Sequence, residues 1–95
     1  MIKVTEAAIN QIKKELENFS TEIKDPYIRL QMGLGWGGPR LQLALEESAH
    51  ENDEMTEIDG VKFLIHQNQL PYFNRVKLDY TKNMFGLGEY TLLRV

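Results

Sequence analysis

The 95-residue chain contains no cysteine. This absence excludes disulfide bonds, thiolate catalysis and metal sites built only from cysteine ligands, because each of these needs the sulfur atom. The chain also lacks clustered cations. Its eleven Lys and Arg residues are scattered and its formal net charge is −3, whereas binding to nucleic-acid phosphates requires a basic patch. We therefore expect no nucleic-acid partner.

Long apolar runs are also missing. No stretch reaches the length of a membrane span, and the N-terminus lacks the apolar segment of a secretory signal. We therefore expect a cytoplasmic protein with no membrane partner. With 42% hydrophobic and 26% charged residues, the composition is that of an ordinary globular protein. The length suits a single domain over residues 1–95 with one modest core.

Glycine is unevenly distributed. Four of the chain's seven glycines lie in residues 33–38, within Gly-Leu-Gly-Trp-Gly-Gly-Pro-Arg, the segment that also holds the only tryptophan. Glycine is dense where a backbone needs positive φ or must approach another group closely. We therefore predict that residues 33–39 form an exposed loop, and that function is located there.

The periodicity of apolar residues predicts one helix followed by strands. Residues 5–19 have apolar side chains at three- and four-residue spacing, with Thr5 as the N-cap. After Asp25-Pro26 the period changes to two, and residues 28–32 and 41–45 are predicted to be an antiparallel pair. Further strands are expected at residues 61–65, 76–80 and 90–95, with a short helical turn at 69–73. This predicts an α+β fold, with one N-terminal helix packed on a mostly antiparallel β-sandwich or flattened barrel of about five strands.

Several segments occur in the order typical of one known family. They are residues 4–8, 28–30, 37–47, 51–54, 59–62 and 76–80, of which residues 37–47 read Gly-Gly-Pro-Arg-Leu-Gln-Leu-Ala-Leu-Glu-Glu. On these segments the chain resembles the HesB/IscA-like family of A-type iron–sulfur cluster carriers. The resemblance implies a compact β-sandwich-like fold and a role related to iron–sulfur cluster assembly.

The chain departs from that family at the ligand positions. Similar members usually read Gly-Cys-x-Gly where this chain reads Gly35-Trp36-Gly37-Gly38, and typical carriers add Cys-Gly-Cys near the C-terminus, about where this chain stops at Val95. Clusters are held mainly by thiolates. We therefore expect no cofactor, no intrinsic cluster, and a role as a protein-interaction or regulatory module.

A second hypothesis is that the chain binds a metal or cluster through ligands other than cysteine. Those ligands would be His50, His66 and acidic residues, or would come from a partner. The two histidines flank a strand segment and are predicted to be poorly spaced for one site. Residues 46–59 hold seven of the fourteen acids. We predict a solvated connection there, with a hard-cation site as the alternative.

The glycine-rich segment is the predicted partner-binding loop, facing a protein partner or a second copy in a homodimer. Its predicted contact residues are Leu34, Gly35, Trp36, Gly37, Gly38 and Arg40. Trp36 has two equally weighted interpretations, an anchor at an interface or a residue folded over the core.

Other residues are expected to carry no chemistry. Tyr72, Tyr80 and Phe85 are expected in the core or sheet. Residues 33–38 also match G-x-G-x-x-G, but Pro39 and a strand follow instead of a helix, so we expect no nucleotide site. No catalytic constellation is recognisable, and we expect the protein not to be an enzyme.

Overall fold

The computed structural model describes residues 2–19, 24–35 and 38–95. Within them the chain forms one α-helix, one 3₁₀ helix and seven strands. In chain order these are β1 (Lys3–Val4), α1 (Glu6–Phe19), β2 (Tyr27–Gly35), β3 (Gly38–Glu46), β4 (Asp53–Ile58), β5 (Val61–His66), the 3₁₀ helix (Gln67–Phe73), β6 (Val76–Lys82) and β7 (Gly88–Arg94).

Helix α1 begins where a threonine side chain can cap it. The Thr5 hydroxyl accepts a hydrogen bond from the backbone N–H of Ala8 at 3.2 Å and donates one to Asp79 of β6 at 2.7 Å. The cap satisfies a helix N–H that has no partner within the helix. Ala8, Ile9 and Ile12 form the buried face of the helix. The predicted helix and its N-cap are therefore confirmed.

The strands form two sheets that are not closed into a barrel. One has the order β3-β2-β5-β4 and the other β1-β6-β7. Strand β2 is antiparallel to β3 and parallel to β5. The core lies among the two sheets and α1, and its largest fully buried side chains include Leu30, Phe63 and Leu78. The predicted α+β class, with one N-terminal helix and mostly antiparallel sheets, is confirmed.

Two of the seven strands were not predicted, β1 and β4. Strand β4 pairs antiparallel with β5 from Asp53↔His66 to Ile58↔Val61. It lies inside the acidic segment 46–59, which is therefore not a connection throughout. Its acids Glu54 and Glu57 are exposed at the edge of the sheet, where water solvates them, so the segment is both acidic and extended.

The predicted loop over residues 33–39 is wrong for most of its length. Gly33, Leu34 and Gly35 belong to β2, and β3 starts at Gly38, so the ladder continues to the pair Gly35↔Gly38. A Cβ on Gly33 would overlap the Gln42 side chain, and Gly38 has φ 115°. These glycines thus permit close pairing and a left-handed backbone rather than a long loop. Trp36 and Gly37 lie outside the described residues.

Candidate functional site

The described residues of the predicted partner-binding segment lie at the end of the β2–β3 ladder. Leu34 is 93% exposed although it lies in a strand. Arg40, paired with Gly33 across the ladder, is also exposed. Gly35 and Gly38 form the last described pair. Because Trp36 and Gly37 fall outside the described residues, both interpretations of Trp36 stay predictions.

A second apolar tip was missed by the sequence analysis. Between Lys82 and Gly88, the last pair of the β6–β7 hairpin, the chain exposes three large apolar side chains. Met84 is 90% exposed, Phe85 79% and Leu87 65%. Phe85 was expected in the core or sheet, and that expectation is wrong. We call Met84, Phe85 and Leu87 the apolar knob.

Tyr80 and Tyr72 were expected in the core or sheet as well, and this is confirmed for Tyr80 alone. Tyr80 lies in β6 and packs partly buried against the core, as expected. Tyr72 is 54% exposed on the 3₁₀ helix, contrary to expectation. Its neighbours Leu70 and Phe73 form the inner side of that helix, which confirms the predicted helical turn.

The turn that carries the apolar knob is held by its own hydrogen bonds. The Asn83 side-chain oxygen accepts from the backbone N–H groups of Phe85 at 2.9 Å and Leu87 at 3.1 Å. The Asn83 backbone bonds to Leu87 and Gly86, and Gly86 has φ 77°. An Asn that bonds the backbone ahead of it, with a glycine in the left-handed region, defines an ordered turn. A motif of apolar residues between Asn83 and Gly86 was the sequence signal for this tip.

The two tips lie at the same end of the molecule. A groove of about 590 Å³ is lined by Arg40 and Leu41 of β3 and by Glu89 and Tyr90 of β7. Arg40 belongs to the third pair from the end of the β2–β3 ladder. Glu89 directly follows Gly88, which belongs to the last pair of the β6–β7 ladder. We call this end of the molecule, with Leu34 and the apolar knob, the hairpin end.

The face of the four-stranded sheet that points away from the core carries a buried charge network around Arg29. Its Nε donates to Glu46 at 2.6 Å, while Nη1 and Nη2 donate to the two oxygens of Asp53 at 2.8 and 2.6 Å. Asp53 also accepts from the backbone N–H of His50 at 2.7 Å. Its side chain has no exposed surface, and that of Arg29 is 11% exposed. The network joins β2 to the end of β3 and the start of β4.

The network shifts the ionisation of all three side chains. Hydrogen bonding to Arg29 lowers the pKa of Asp53 to about 2, and burial opposes that shift. The same guanidinium lowers the pKa of Glu46. The bond to Asp53 raises the pKa of Arg29. All three groups are therefore charged at neutral pH, and each is electrically compensated.

The structure brings His50 and His66 to the same cleft, contrary to the spacing argument. The cleft is about 480 Å³ and includes Arg29, Glu46 and Asp53 in its lining. The reason is the β4–β5 register, which places His66 opposite Asp53. Even so, no group of three or more His, Asp or Glu side chains in the described part of the chain is arranged to hold a metal ion.

These donors do not fit an iron–sulfur cluster. The chain has no thiolate, and both carboxylates of the cleft are bonded to Arg29. His66 uses Nδ1 to accept the backbone N–H of Asn68 at 3.1 Å, capping the 3₁₀ helix. A cation placed here would also meet the guanidinium charge. The charged side chains of the cleft therefore form a structural ion-pair network on the sheet.

Within residues 2–19, 24–35 and 38–95, no helix is both long and apolar enough to cross a membrane.

Comparison with known sequences supports the resemblance seen in the motifs. The profile of the family described as iron–sulphur cluster biosynthesis matches residues 1–89. A protein of Aquifex aeolicus is 32% identical over 89 residues, which are 93% of this chain and 75% of that protein. A protein from the nifU 5′ region of Azotobacter vinelandii is 31% identical over 88 residues, covering 93% of this chain and 81% of that one.

Solved structures share the fold. The crystal structure of IscA with the [2Fe-2S] cluster has a TM-score of 0.80 at 22% identity, covering 99% of this chain and 85% of that one. A solution structure of an Aquifex aeolicus protein has a TM-score of 0.78 at 30% identity, with coverage of 99% and 91%. Escherichia coli SufA has a TM-score of 0.77 at 16% identity, with coverage of 98% and 84%. Because the family profile spans nearly the whole sequence, this cysteine-free chain belongs to the iron–sulphur cluster biosynthesis (HesB/IscA) family.

Proposed function

We propose that the protein is an interaction module of iron–sulphur cluster biosynthesis that does not itself ligate a cluster. It binds a protein partner at the hairpin end and has no enzymatic activity. Its place of action is the cytoplasm, in keeping with a biosynthetic family. The observation that carries the proposal is the 93% exposure of Leu34 at the segment where family members carry a ligand.

The chemistry of the available donors supports the first half of the proposal. Thiolates bind iron strongly because they are soft, charged ligands. This chain offers no thiolate, and the carboxylates of the cleft, Glu46 and Asp53, are neutralised by Arg29. Removing Arg29 from them would leave its buried charge without a partner, which is costly.

The exposure of Leu34 supports the second half. A leucine held in a strand yet almost wholly exposed gains nothing from folding, and its burial by a partner is worth about 2 kcal/mol. Leu34 pairs with Pro39, whereas Arg40 pairs with Gly33 and therefore lies on the opposite face of the hairpin. The argument for a contact here depends on Leu34 alone, because burying an exposed apolar side chain against a partner removes it from water.

Anaerobic reconstitution with ferrous iron and sulfide tests cluster ligation. After desalting, the protein should show no charge-transfer absorption and no stoichiometric iron, whereas a cysteine-containing relative treated in parallel should show both. A stable cluster on this chain would overturn the proposal in favour of non-cysteine ligands. In that case His50→Ala and His66→Ala should each release the iron.

Affinity capture from native cells tests partner binding. The bait is compared with Leu34→Ser and with Met55→Ser, a control that removes an apolar side chain on β4 that is 52% exposed. Recovery of an iron–sulphur cluster biosynthesis protein, identified by mass spectrometry, should fall at least tenfold for Leu34→Ser alone. Equal recovery with both variants would contradict the assignment of the hairpin end.

A further inference from the structure

A pocket opens on the core side of the four-stranded sheet, beside β4. It has a volume of about 430 Å³, within the range of about 300–1,000 Å³ that is usual for ligand pockets. On the side of the sheet it is lined by Glu54 and Thr56 of β4. Its apolar floor consists of Ile2, Ile65, Leu70 and Phe73.

The wall of the pocket opposite β4 is fixed by hydrogen bonds. The Gln67 backbone N–H donates to the Asn52 carbonyl oxygen at 2.9 Å, which ties the start of the 3₁₀ helix to the turn before β4. The His66 side chain caps the same helix by accepting the backbone N–H of Asn68. Phe73, at the end of the helix, is 2% exposed. The pocket is therefore already formed, and a ligand has little ordering to impose on this wall.

The strand beside the pocket is an edge of the sheet. In the part of the chain that the structure describes, β4 pairs with β5 on one side and with no strand on the other. Its six residues span about 20 Å. The unpaired N–H and C=O groups of such an edge can bind one further strand.

The charge around the pocket is negative. Glu54 is the one ionisable side chain among the described residues that line it. Glu54 pairs with the core residue Ile65, so it lies on the core face of β4. Its side chain is exposed, and it forms none of the ion pairs of the described residues. Exposed Glu57 adds a second carboxylate on the strand, and exposed Glu51 and Asp59 lie just beyond its two ends.

We propose that β4 and this pocket bind an extended basic segment of a partner protein, which adds a strand to the sheet. Alternate side chains of the added strand face the pocket. A Lys or Arg beside Glu54 lays its aliphatic stem over the apolar floor and brings its cation to the carboxylate. Backbone hydrogen bonds along the edge supply affinity, and the side chain in the pocket supplies specificity.

The same acids exclude a second copy of the chain from this edge. Two β4 strands paired antiparallel in full register would set Glu54 of one copy opposite Glu57 of the other. Paired in parallel, they would set each acid next to its own equivalent. Like charges in these positions destabilise a strand pair, and charged edges are a common protection against self-pairing. A cationic segment is favoured for the same electrostatic reason.

This inference goes beyond the proposed function. Strands β4 and β3 are the two opposite edges of the four-stranded sheet, and the residues around the pocket are separate from Leu34 and the apolar knob. The pocket is therefore a second binding surface on the same molecule.

Fluorescence anisotropy with a labelled, end-capped hexapeptide tests the binding. The probe Thr-Lys-Val-Val-Lys-Thr matches the length of β4, and in either strand direction its lysines face Glu54 and Glu57. Glu54→Lys should weaken binding at least tenfold, because it replaces attraction with repulsion. Glu17→Lys is the matched control, since it makes the same change of charge at an exposed position on α1. No binding by the wild type, or equal weakening by both variants, would overturn the proposal.

Reversing the charge of the probe tests complementarity without any change to the protein. Thr-Glu-Val-Val-Glu-Thr should bind the wild type at least tenfold more weakly than the lysine probe. The variant carrying Glu54→Lys and Glu57→Lys should prefer the glutamate probe instead. The same preference in the wild type and in this variant would count against a contact with these two acids.

Amide hydrogen exchange of the whole chain, followed by NMR, tests strand addition. With the lysine probe bound, the backbone N–H groups of β4 that point away from β5 should exchange at least tenfold more slowly, because they become hydrogen-bonded. Binding without this protection would refute the added strand. Protection that appears without the probe and grows with protein concentration would assign the edge to a second copy and overturn the proposal.

The two proposals fail separately. Leu34→Ser should bind the lysine probe as the wild type does, and Glu54→Lys should still capture the partner of the hairpin end. Loss of probe binding in Leu34→Ser would contradict the placement of the site at β4, and it would leave the reconstitution result unaffected.

Discussion

Replacing Asp53 by Asn should be among the most destabilising substitutions outside the hydrophobic core of this protein. The Asn side chain keeps the size of Asp but removes the charge that compensates Arg29. It can accept only one of the two guanidinium hydrogen bonds, now at 2.8 and 2.6 Å, and its NH₂ group would face the other donor. Arg29 would then keep only Glu46 as a charged partner.

The expected cost follows from the ionisation of Asp53. A drop of its pKa from 3.8 to about 2 in the folded state corresponds to about 2 kcal/mol of stabilisation at neutral pH. Breaking a buried ion pair by removing one partner usually costs about 3–5 kcal/mol. Because Glu46 still bonds Arg29, we expect Asp53→Asn to lower the free energy of unfolding by about 2–3 kcal/mol.

The pH dependence gives the effect a signature. The folded-state pKa of Asp53 is lower than the unfolded one, so its contribution is fully present above about pH 4 and is lost as pH falls towards 2. The wild type should therefore lose stability over that window. The variant, which has no carboxylate at this position, should lose less. The free energy of unfolding of the variant should still rise with pH in this window, because Arg29 also lowers the pKa of Glu46.

Urea denaturation followed by far-UV circular dichroism, at pH 7 and at steps down to pH 2, measures both effects. Glu46→Gln is the matched control, because Glu46 has a single hydrogen bond to Arg29 and its side chain is 28% exposed. It should cost about 1 kcal/mol. The reasoning is refuted if Asp53→Asn costs no more than this control, or if the two pH profiles are parallel.

Two further substitutions test how the helix and the C-terminal hairpin are held. Thr5→Ala removes the N-cap bond to Ala8 and the bond to Asp79, and should cost about 1–2 kcal/mol. Thr5→Ser keeps both bonds and should restore most of the loss in thermal unfolding. In Gly88→Ala the new Cβ would overlap the Tyr80 hydroxyl, so the ring must move at a cost of about 1–3 kcal/mol. A melting temperature unchanged from wild type would contradict that overlap.

Local patterns in the sequence predicted most of the fold. The helix over residues 5–19, the strands around residues 28–32, 41–45 and 61–65, and the turn at 69–73 depend on periodicity between neighbours along the chain, which a sequence displays directly. The family could also be predicted, because the segments that match it occur in the same order along the chain. The composition decided one chemical point outright, since a chain with no cysteine has no thiolate to offer.

Features that depend on which strands pair could not be predicted from the sequence. The glycine-rich segment looked like a loop, yet the β2–β3 ladder extends to Gly35↔Gly38. At Gly33 the missing side chain leaves room for the Gln42 amide, so this glycine belongs to a paired strand. Strand β4 looked like a solvated acidic connection, because an edge strand can expose its charges. Phe85 looked like a core residue, and only the position of its turn shows that nothing in the described fold covers it.

The sequence by itself determined the class of fold, the family and the absence of thiolate ligands, since these follow from residue type and short-range order. Tertiary structure decided where the side chains act. It joined Arg29 to Glu46 and Asp53, which are 17 and 24 residues away, and it placed the tips of two separate hairpins at one end. Such contacts depend on strand order and register, and these are settled by packing of the whole chain rather than by any one segment.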